Sequence, residues 1–171
     1  NHHITRGTAT VKLAAGAAMA DSNGADVSIE YSWIMGNSAP RGGGYAHGAH
    51  GLLHVYYAIF LGNQATGVYP SAYSDGGGLW TEGPTNLDKV TMQANTSYNY
   101  GGAVAVQTNT SLDITQSNIT ANTANSLGGG ISVADSGAID VTNIESSSIG
   151  YNTGDPGGGI YVASGARLHL L

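Results

Sequence analysis

Ile119-Thr120-Ala121-Asn122, followed six residues later by Gly128-Gly129-Gly130-Ile131 and Val133, is the stretch that decides how this chain folds. The same figure occurs five times. The apolar-x-x-Asn tetrapeptides begin at Ile34, Phe60, Met92, Ile119 and Ile149 and end at Asn37, Asn63, Asn95, Asn122 and Asn152. A glycine cluster follows each one, at Gly42–Gly44, Gly76–Gly78, Gly101–Gly102, Gly128–Gly130 and Gly157–Gly159. The asparagines stand 26, 32, 27 and 30 residues apart. Self-similarity at such a period means one structural unit stacked on itself.

Within each period apolar residues alternate, as in Val104.Val106, Leu112.Ile114, Ile131.Val133, Ile160.Val162 and Leu168.Leu170. Alternation is the mark of a strand with one buried face. No window carries apolar residues at helical spacing, and glycine punctuates every unit, which excludes helices. The predicted fold is therefore all-β: one parallel β-helix of about six coils, three short strands each, stacked at ~4.8 Å per coil. The chirality of parallel crossovers predicts right-handed winding.

Two spacings suggest the register. From the residue after the glycines to the next run is eight positions throughout: Tyr45 to Leu53, Leu79 to Leu87, Val104 to Leu112, Ile131 to Ile139, Ile160 to Leu168. Val27, Leu53 and Leu112 each precede their asparagine by ten, whereas Leu87 is two short and Ile139 three long. The chain reads as a single domain, 1–171, with an irregular first coil over 1–26, regular repeats over 27–171 and a long loop insertion at 65–78. The corner asparagines have two explanations, both structural. Their amides can bond one another up and down the stack, or asparagine can simply tolerate a left-handed corner.

Gly101-Gly102-Ala103-Val104, Gly128-Gly129-Gly130-Ile131 and Gly157-Gly158-Gly159-Ile160, paired with the apolar-x-x-Asn tetrapeptides, resemble the repeats of polymorphic outer-membrane proteins. More broadly, roughly Val27 to Leu171 is similar to the right-handed β-helices of the pectin-lyase-like superfamily, including adhesin passenger domains. The resemblance implies an extracellular or cell-surface setting and adhesion or assembly. It brings no catalytic motif, and this scaffold hosts many unrelated activities.

Charge narrows the partners. Only 9% of residues are charged and the formal net charge is −6; the five basic residues, Arg6, Lys12, Arg41, Lys89 and Arg167, are scattered. No basic stripe could track a phosphate backbone, so nucleic acid is not an expected partner. Low charge suits molecules that associate closely. No apolar run reaches the ~20 residues of a membrane span. Cysteine is absent, which removes disulfides and thiolate metal sites. The start at Asn1 fits a mature product or a piece of a longer chain, and Asn95, Asn109 and Asn118 head glycosylation sequons.

The sequence leaves both tips of the stack without a cap. Leu168, Leu170 and Leu171 close a strand-like segment, and Ile4, Val11 and Leu13 open another. Exposed strand edges seek partners, so these six residues are the expected assembly ends of a head-to-tail homopolymer. Neighbouring coils of a larger adhesin would cover them equally well.

Side-chain chemistry offers weaker candidates. Asp88, Asp113 and Asp140 each follow the first residue of a predicted strand, an outward column that could hold a cation or be a solvated face. His47, His50 and His54 cluster across a corner without zinc spacing, and Asn1-His2-His3 could chelate copper or nickel through a free amine. Aromatics crowd one side: Tyr56, Tyr57, Tyr69, Tyr73 and Trp80 could stack on glycans, fill the core, or make a lateral contact. No cofactor and no enzymatic machinery is expected. The expected function is an extracellular structural or adhesive β-solenoid that assembles head to tail; the alternative is a glycan-binding or glycan-cleaving module on the same scaffold.

Overall fold

In a computed structural model, which describes residues 19–21, 24–67, 75–107, 110–134 and 141–171, the chain is a parallel β-solenoid of about five turns. The first turn runs through β1 (Met19–Ala20), β2 (Val27–Glu30), β3 (Trp33–Met35) and β4 (Ser38–Ala39). The second holds β5 (Tyr45–His47), β6 (Leu53–Tyr56), β7 (Ile59–Leu61) and β8 (Gln64–Ala65). The third holds β9 (Leu79–Thr81), β10 (Thr85–Asp88), β11 (Thr91–Gln93) and β12 (Thr96–Ser97). In the fourth are β13 (Val104–Val106), β14 (Leu112–Thr115), β15 (Asn118–Thr120) and β16 (Thr123–Ala124). The fifth has β17 (Ile131–Val133), β18 (Val141–Glu145) and β19 (Ser148–Gly150), and β20 (Ile160–Val162) and β21 (Arg167–Leu170) begin a further turn.

Each strand pairs in parallel with its counterparts one turn away, giving four sheets. Sheet A is β1-β5-β9-β13-β17-β20 and sheet B is β2-β6-β10-β14-β18-β21. Sheet C is β3-β7-β11-β15-β19 and sheet D is β4-β8-β12-β16. No helix occurs among the described residues. The count differs from the sequence expectation in two ways: about five turns rather than six, and four strands per complete turn rather than three. The extra strand, after the asparagine, is only two residues long, too short to reveal alternation.

The register corrects the reading of the spacings. Val27, Leu53, Thr85, Leu112 and Thr142 share one position in sheet B, and each precedes its asparagine by ten residues. The ten-residue arm is the fixed one. The connection from sheet A to sheet B varies instead: six residues from His47 to Leu53, four from Thr81 to Thr85, nine from Val133 to Thr142. Leu87 was a false start because the inward position before it is polar. Thr85 is fully buried, with Thr85 Oγ1 2.8 Å from Thr81 Oγ1 and donating to the Gly83 carbonyl at 3.1 Å. Hydroxyls satisfied in this way can occupy a core position that alternation assigns to aliphatics.

Inward residues stack in rows: Ile29, Val55, Leu87, Ile114 and Ile144; Ile34, Phe60, Met92, Ile119 and Ile149; Tyr45, Leu79, Val104, Ile131 and Ile160. Each fully buried large side chain contributes roughly 1.5–3 kcal/mol, and each is buried against the turns on either side. Close stacking at one corner requires glycine. A Cβ on Gly77 would lie 2.3 Å from the carbonyl oxygens of Gly102 and Thr96, so the turns could not approach. The preceding glycine, Gly76, sits at φ 67°, as do its counterparts in the left-handed region.

β1 already pairs Met19 with Tyr45, within the segment read as irregular. Thr66 and Gly67 still bond Ala39 and Pro40, and Asp75 bridges Tyr100, so both flanks of the insertion belong to the rod. Ile4, Val11, Leu13, Tyr69, Tyr73 and Asp140, with His2 and His3, lie outside the described residues.

Candidate functional site

Three corners of each turn carry the side chains with chemistry. Between sheets C and D the asparagines point inward and bond in one continuous row. Asn37 donates its backbone N–H (3.1 Å) and Nδ2 (2.9 Å) to Asn63 Oδ1; Asn63 does the same to Asn95, Asn95 to Asn122, and Asn122 to Asn152. The Nδ2 groups of Asn63, Asn95, Asn122 and Asn152 also reach back to the carbonyls of Ile34, Phe60, Met92 and Ile119, respectively. The first explanation of the corner asparagines therefore holds. The left-handed conformation is present too, one residue earlier: Gly36, Gly62, Ala94, Ala121 and Tyr151 have φ between 54° and 64°. The row is structural: Asn63, Asn95 and Asn122 are fully buried, and Asn37 nearly so.

Between sheets B and C the left-handed residue points outward. Tyr31, Tyr57, Lys89, Gln116 and Ser146 occupy it, with φ from 47° to 55°. Tyr31 and Tyr57 stack with ring centroids 5.4 Å apart and planes 8° apart. Tyr56 meets both edge-on, at 4.6 Å from Tyr57 and 5.6 Å from Tyr31. Lys89 Nζ lies 5.2 Å from the Tyr57 centroid and 5.0 Å from that of Tyr56. Tyr57 is thus flanked along the column by a ring and an ammonium, favourable contacts worth ~0.5–1.5 kcal/mol each. Its faces are spent inside the cluster, and a sugar approaching from the side meets ring edges.

At the glycine corner Trp80 is not part of that column. Its ring lies 4.9 Å from Arg41 Cζ, and its Nε1 is buried without a hydrogen-bond partner. Asp75 beside it is also buried, with Oδ1 unbonded. Burial pushes the Asp75 carboxyl up to about 6, against the opposing pull of Arg41 and the Tyr100 backbone. Along this side a shallow cleft of about 190 Å³ is walled by Tyr100, Leu127 and Tyr161 over a floor of Ala105 and Ser132.

The carboxylate column is not formed. Asp88 pairs in register with Thr115, while Asp113 pairs with Asn86 and Asn143, so the two acids stand two residues out of step. Each has protein donors: Thr115 Oγ1 (3.1 Å) and Lys89 Nζ (3.4 Å) for Asp88, Asn143 Nδ2 for Asp113. The histidines also separate. His47 is inside the solenoid, His54 faces outward on sheet B beside Tyr56, and His50 is exposed. Among the described residues no group of three His, Cys, Asp or Glu is placed to hold a metal.

Sequence reasoning missed the partner of His47. Nδ1 contacts Asp21 Oδ2 at 2.6 Å and Nε2 contacts the Gly51 carbonyl at 3.0 Å. Asp21 also accepts from the Tyr45 hydroxyl (2.7 Å) and the Gly48 N–H (2.6 Å). The aspartate so clamps the end of β1 onto the second turn. Burial, then the bond to Asp21, raises the Tyr45 hydroxyl well above its ordinary value. No sequence pattern links positions 21 and 47, because the connection is made only by stacking.

At the far end Leu168 is half-buried, while Leu170 and Leu171 are 66% and 80% exposed. No helix among the described residues is long and apolar enough to cross a membrane. No protein-family model matches this chain, and no curated protein or solved structure matches it.

Proposed function

We propose that the chain is the rod of an extracellular structural or adhesive protein, and that copies stack end to end into a surface or matrix filament. One observation carries the reading. Ile131, Val133 and Ile144 are 0%, 0% and 5% exposed, whereas their counterparts one turn on, Ile160, Val162 and Leu170, are partly or largely open. A solenoid turn is stable only when the next turn covers it, and parallel strand edges bind other strand edges. In this reading a second copy provides the cover, with apolar stacking on Leu168, Leu170 and Leu171; further turns of a larger adhesin would cover the same residues. The likeness to polymorphic outer-membrane and adhesin passenger repeats belongs to the same proposal and supports a location outside the cell.

Electron microscopy and sedimentation of the purified chain test it. Unbranched fibres one rod wide are expected, and Leu170→Lys should abolish them while leaving the circular dichroism spectrum unchanged. Monodisperse monomers at every concentration would overturn the filament. If those monomers bound oligosaccharides, the second reading, a glycan-binding or glycan-cleaving module, would gain; the cleft walled by Tyr100, Leu127 and Tyr161 is the feature that favours it.

A further inference from the structure

Among the described residues, β1, β2, β3 and β4 are each the edge strand of their sheet, so the first turn is held from one side. Cysteine is absent, and no disulfide can tie that turn down. Two outward tyrosines span the same step. Tyr31 and Tyr57 occupy the corner between sheets B and C in successive turns, with φ 47° and 49°. Bulky aromatic residues are poor choices for a left-handed corner, and Lys89, Gln116 and Ser146 fill it in later turns. The rings are 47% and 46% exposed, so the core does not require them. They nevertheless stand parallel, centroids 5.4 Å apart and planes 8° apart. The backbone beneath is pinned: Tyr31 N–H donates to the Tyr56 carbonyl (3.0 Å) and Tyr57 N–H to that of Asp88 (3.1 Å). A fixed frame thus holds two phenols together at the surface, where a diffusible oxidant can reach them.

We infer that Tyr31 and Tyr57 are an oxidative coupling site, at which a one-electron oxidant joins the two rings and locks the first turn to the second. The oxidant is hydrogen peroxide acting through a haem peroxidase. Each phenol gives up one electron and its hydroxyl proton, and the two phenoxyl radicals bond through carbons ortho to oxygen. The hydrogens on those carbons move to the oxygens, which restores both hydroxyls. The two electrons and two protons released reduce one hydrogen peroxide to two waters. Phenols already held side by side react without having to meet, which favours this pair over an encounter between molecules. Orientation selects the partner. Tyr31 and Tyr57 set ring against ring, whereas Tyr56 turns an edge to both, at 87° and 83°. The Lys89 ammonium, 5.2 Å from the Tyr57 centroid, opposes a ring cation, so the proton leaves with the electron. Water accepts it, since both residues are nearly half exposed. The new bond restricts the unfolded chain as a disulfide would. It needs no second copy and stands or falls independently of end stacking.

The test treats the full chain carrying Leu170→Lys, kept dilute so that rods stay apart, with hydrogen peroxide and a haem peroxidase. Gel filtration, trypsin and mass spectrometry follow. Arg41 lies between the two tyrosines, so the bond joins two tryptic peptides into a species two hydrogens lighter than their sum. The monomer fraction should gain dityrosine fluorescence and this joined pair, and should unfold at higher urea than untreated chain. Tyr31→Phe or Tyr57→Phe should each lower the yield about ten-fold or more, as expected when the preassembled pair is lost, while Tyr56→Phe leaves it. Phenylalanine keeps the ring, and matching circular dichroism spectra separate lost coupling from lost folding. Tyr151, 93% exposed, is the internal control: oxidation governed by access alone reacts there and yields dimers. Dimers linked through Tyr151 in place of the monomer product overturn the inference. So does a chain that forms no dityrosine, or a joined pair that survives Tyr57→Phe and disappears in Tyr56→Phe.

Discussion

Two corners of the same turn follow opposite rules. At the corner between sheets C and D one residue type recurs five times, because the side chain is buried and each amide satisfies its neighbour's donors. At the corner between sheets B and C the backbone is equally constrained, with φ near 50° in every turn, yet the residue is Tyr, Tyr, Lys, Gln and Ser. There the side chain points to solvent, and burial imposes no one residue type. Identity is therefore dictated where a polar group is desolvated, and left open where it is not. The open corner is where a surface can be given its character, and the tyrosine cluster stands there.

The largest test of this contrast is Asn95→Leu. It removes the acceptor of the Asn63 backbone N–H and one of the two acceptors of Asn63 Nδ2, which keeps the Ile34 carbonyl, and takes a donor from the Phe60 carbonyl; it should cost about 3 kcal/mol in urea unfolding. A loss below about 1 kcal/mol would mean that the row is ornamental.

Asp75, at the glycine corner, is an intermediate case: buried and ionisable without an amide's neutrality. Its carboxyl holds a proton up to about pH 6 in the folded chain, against an ordinary value of 3.8. The folded state thus binds the proton more tightly than the unfolded one. Stability from this group is fully present below about pH 4 and is lost as pH rises through about 6. Asp75→Asn should raise stability by roughly 2 kcal/mol at pH 8 and leave it unchanged near pH 4. Parallel melting curves at both values check this, and equal gains at the two would refute the assignment.

The smallest expected effect is at the open corner. Gln116, exposed at φ 47°, should accept glycine or asparagine with a change within about 0.5–1 kcal/mol, on the stabilising side, because the left-handed conformation is easier for both. A cost comparable with that of Asn95→Leu would show that the corner side chains are not interchangeable.

The same contrast explains what could be read without coordinates. Stacked strands, glycine corners and the inward asparagines were legible because burial repeats its demands in every turn. Register was not, since Thr85 is polar inside the core and shifted the reading onto Leu87, which misplaced Asp88 against Asp113. The aromatics from Tyr56 to Trp80 stand out in the sequence by their density, whereas Tyr31 and Trp33 carry no such local signal. Knowing that Trp33 shares a column with Thr91 and Asn118 would have shown it to be out of place. The Asp21–His47 clamp spans a full turn and leaves no local trace.

The asparagine row has a further consequence. The Oδ1 atoms of Asn63, Asn95, Asn122 and Asn152 all face the preceding turn and accept from it, so these carbonyl dipoles add rather than cancel. The rod accordingly carries a grain, with slight positive character towards β19 and negative character towards β3. Two such bodies brought nose to nose would repel where nose to tail they attract, so an end-to-end stack of the kind proposed would have a sense of direction before any side chain at the tip is consulted.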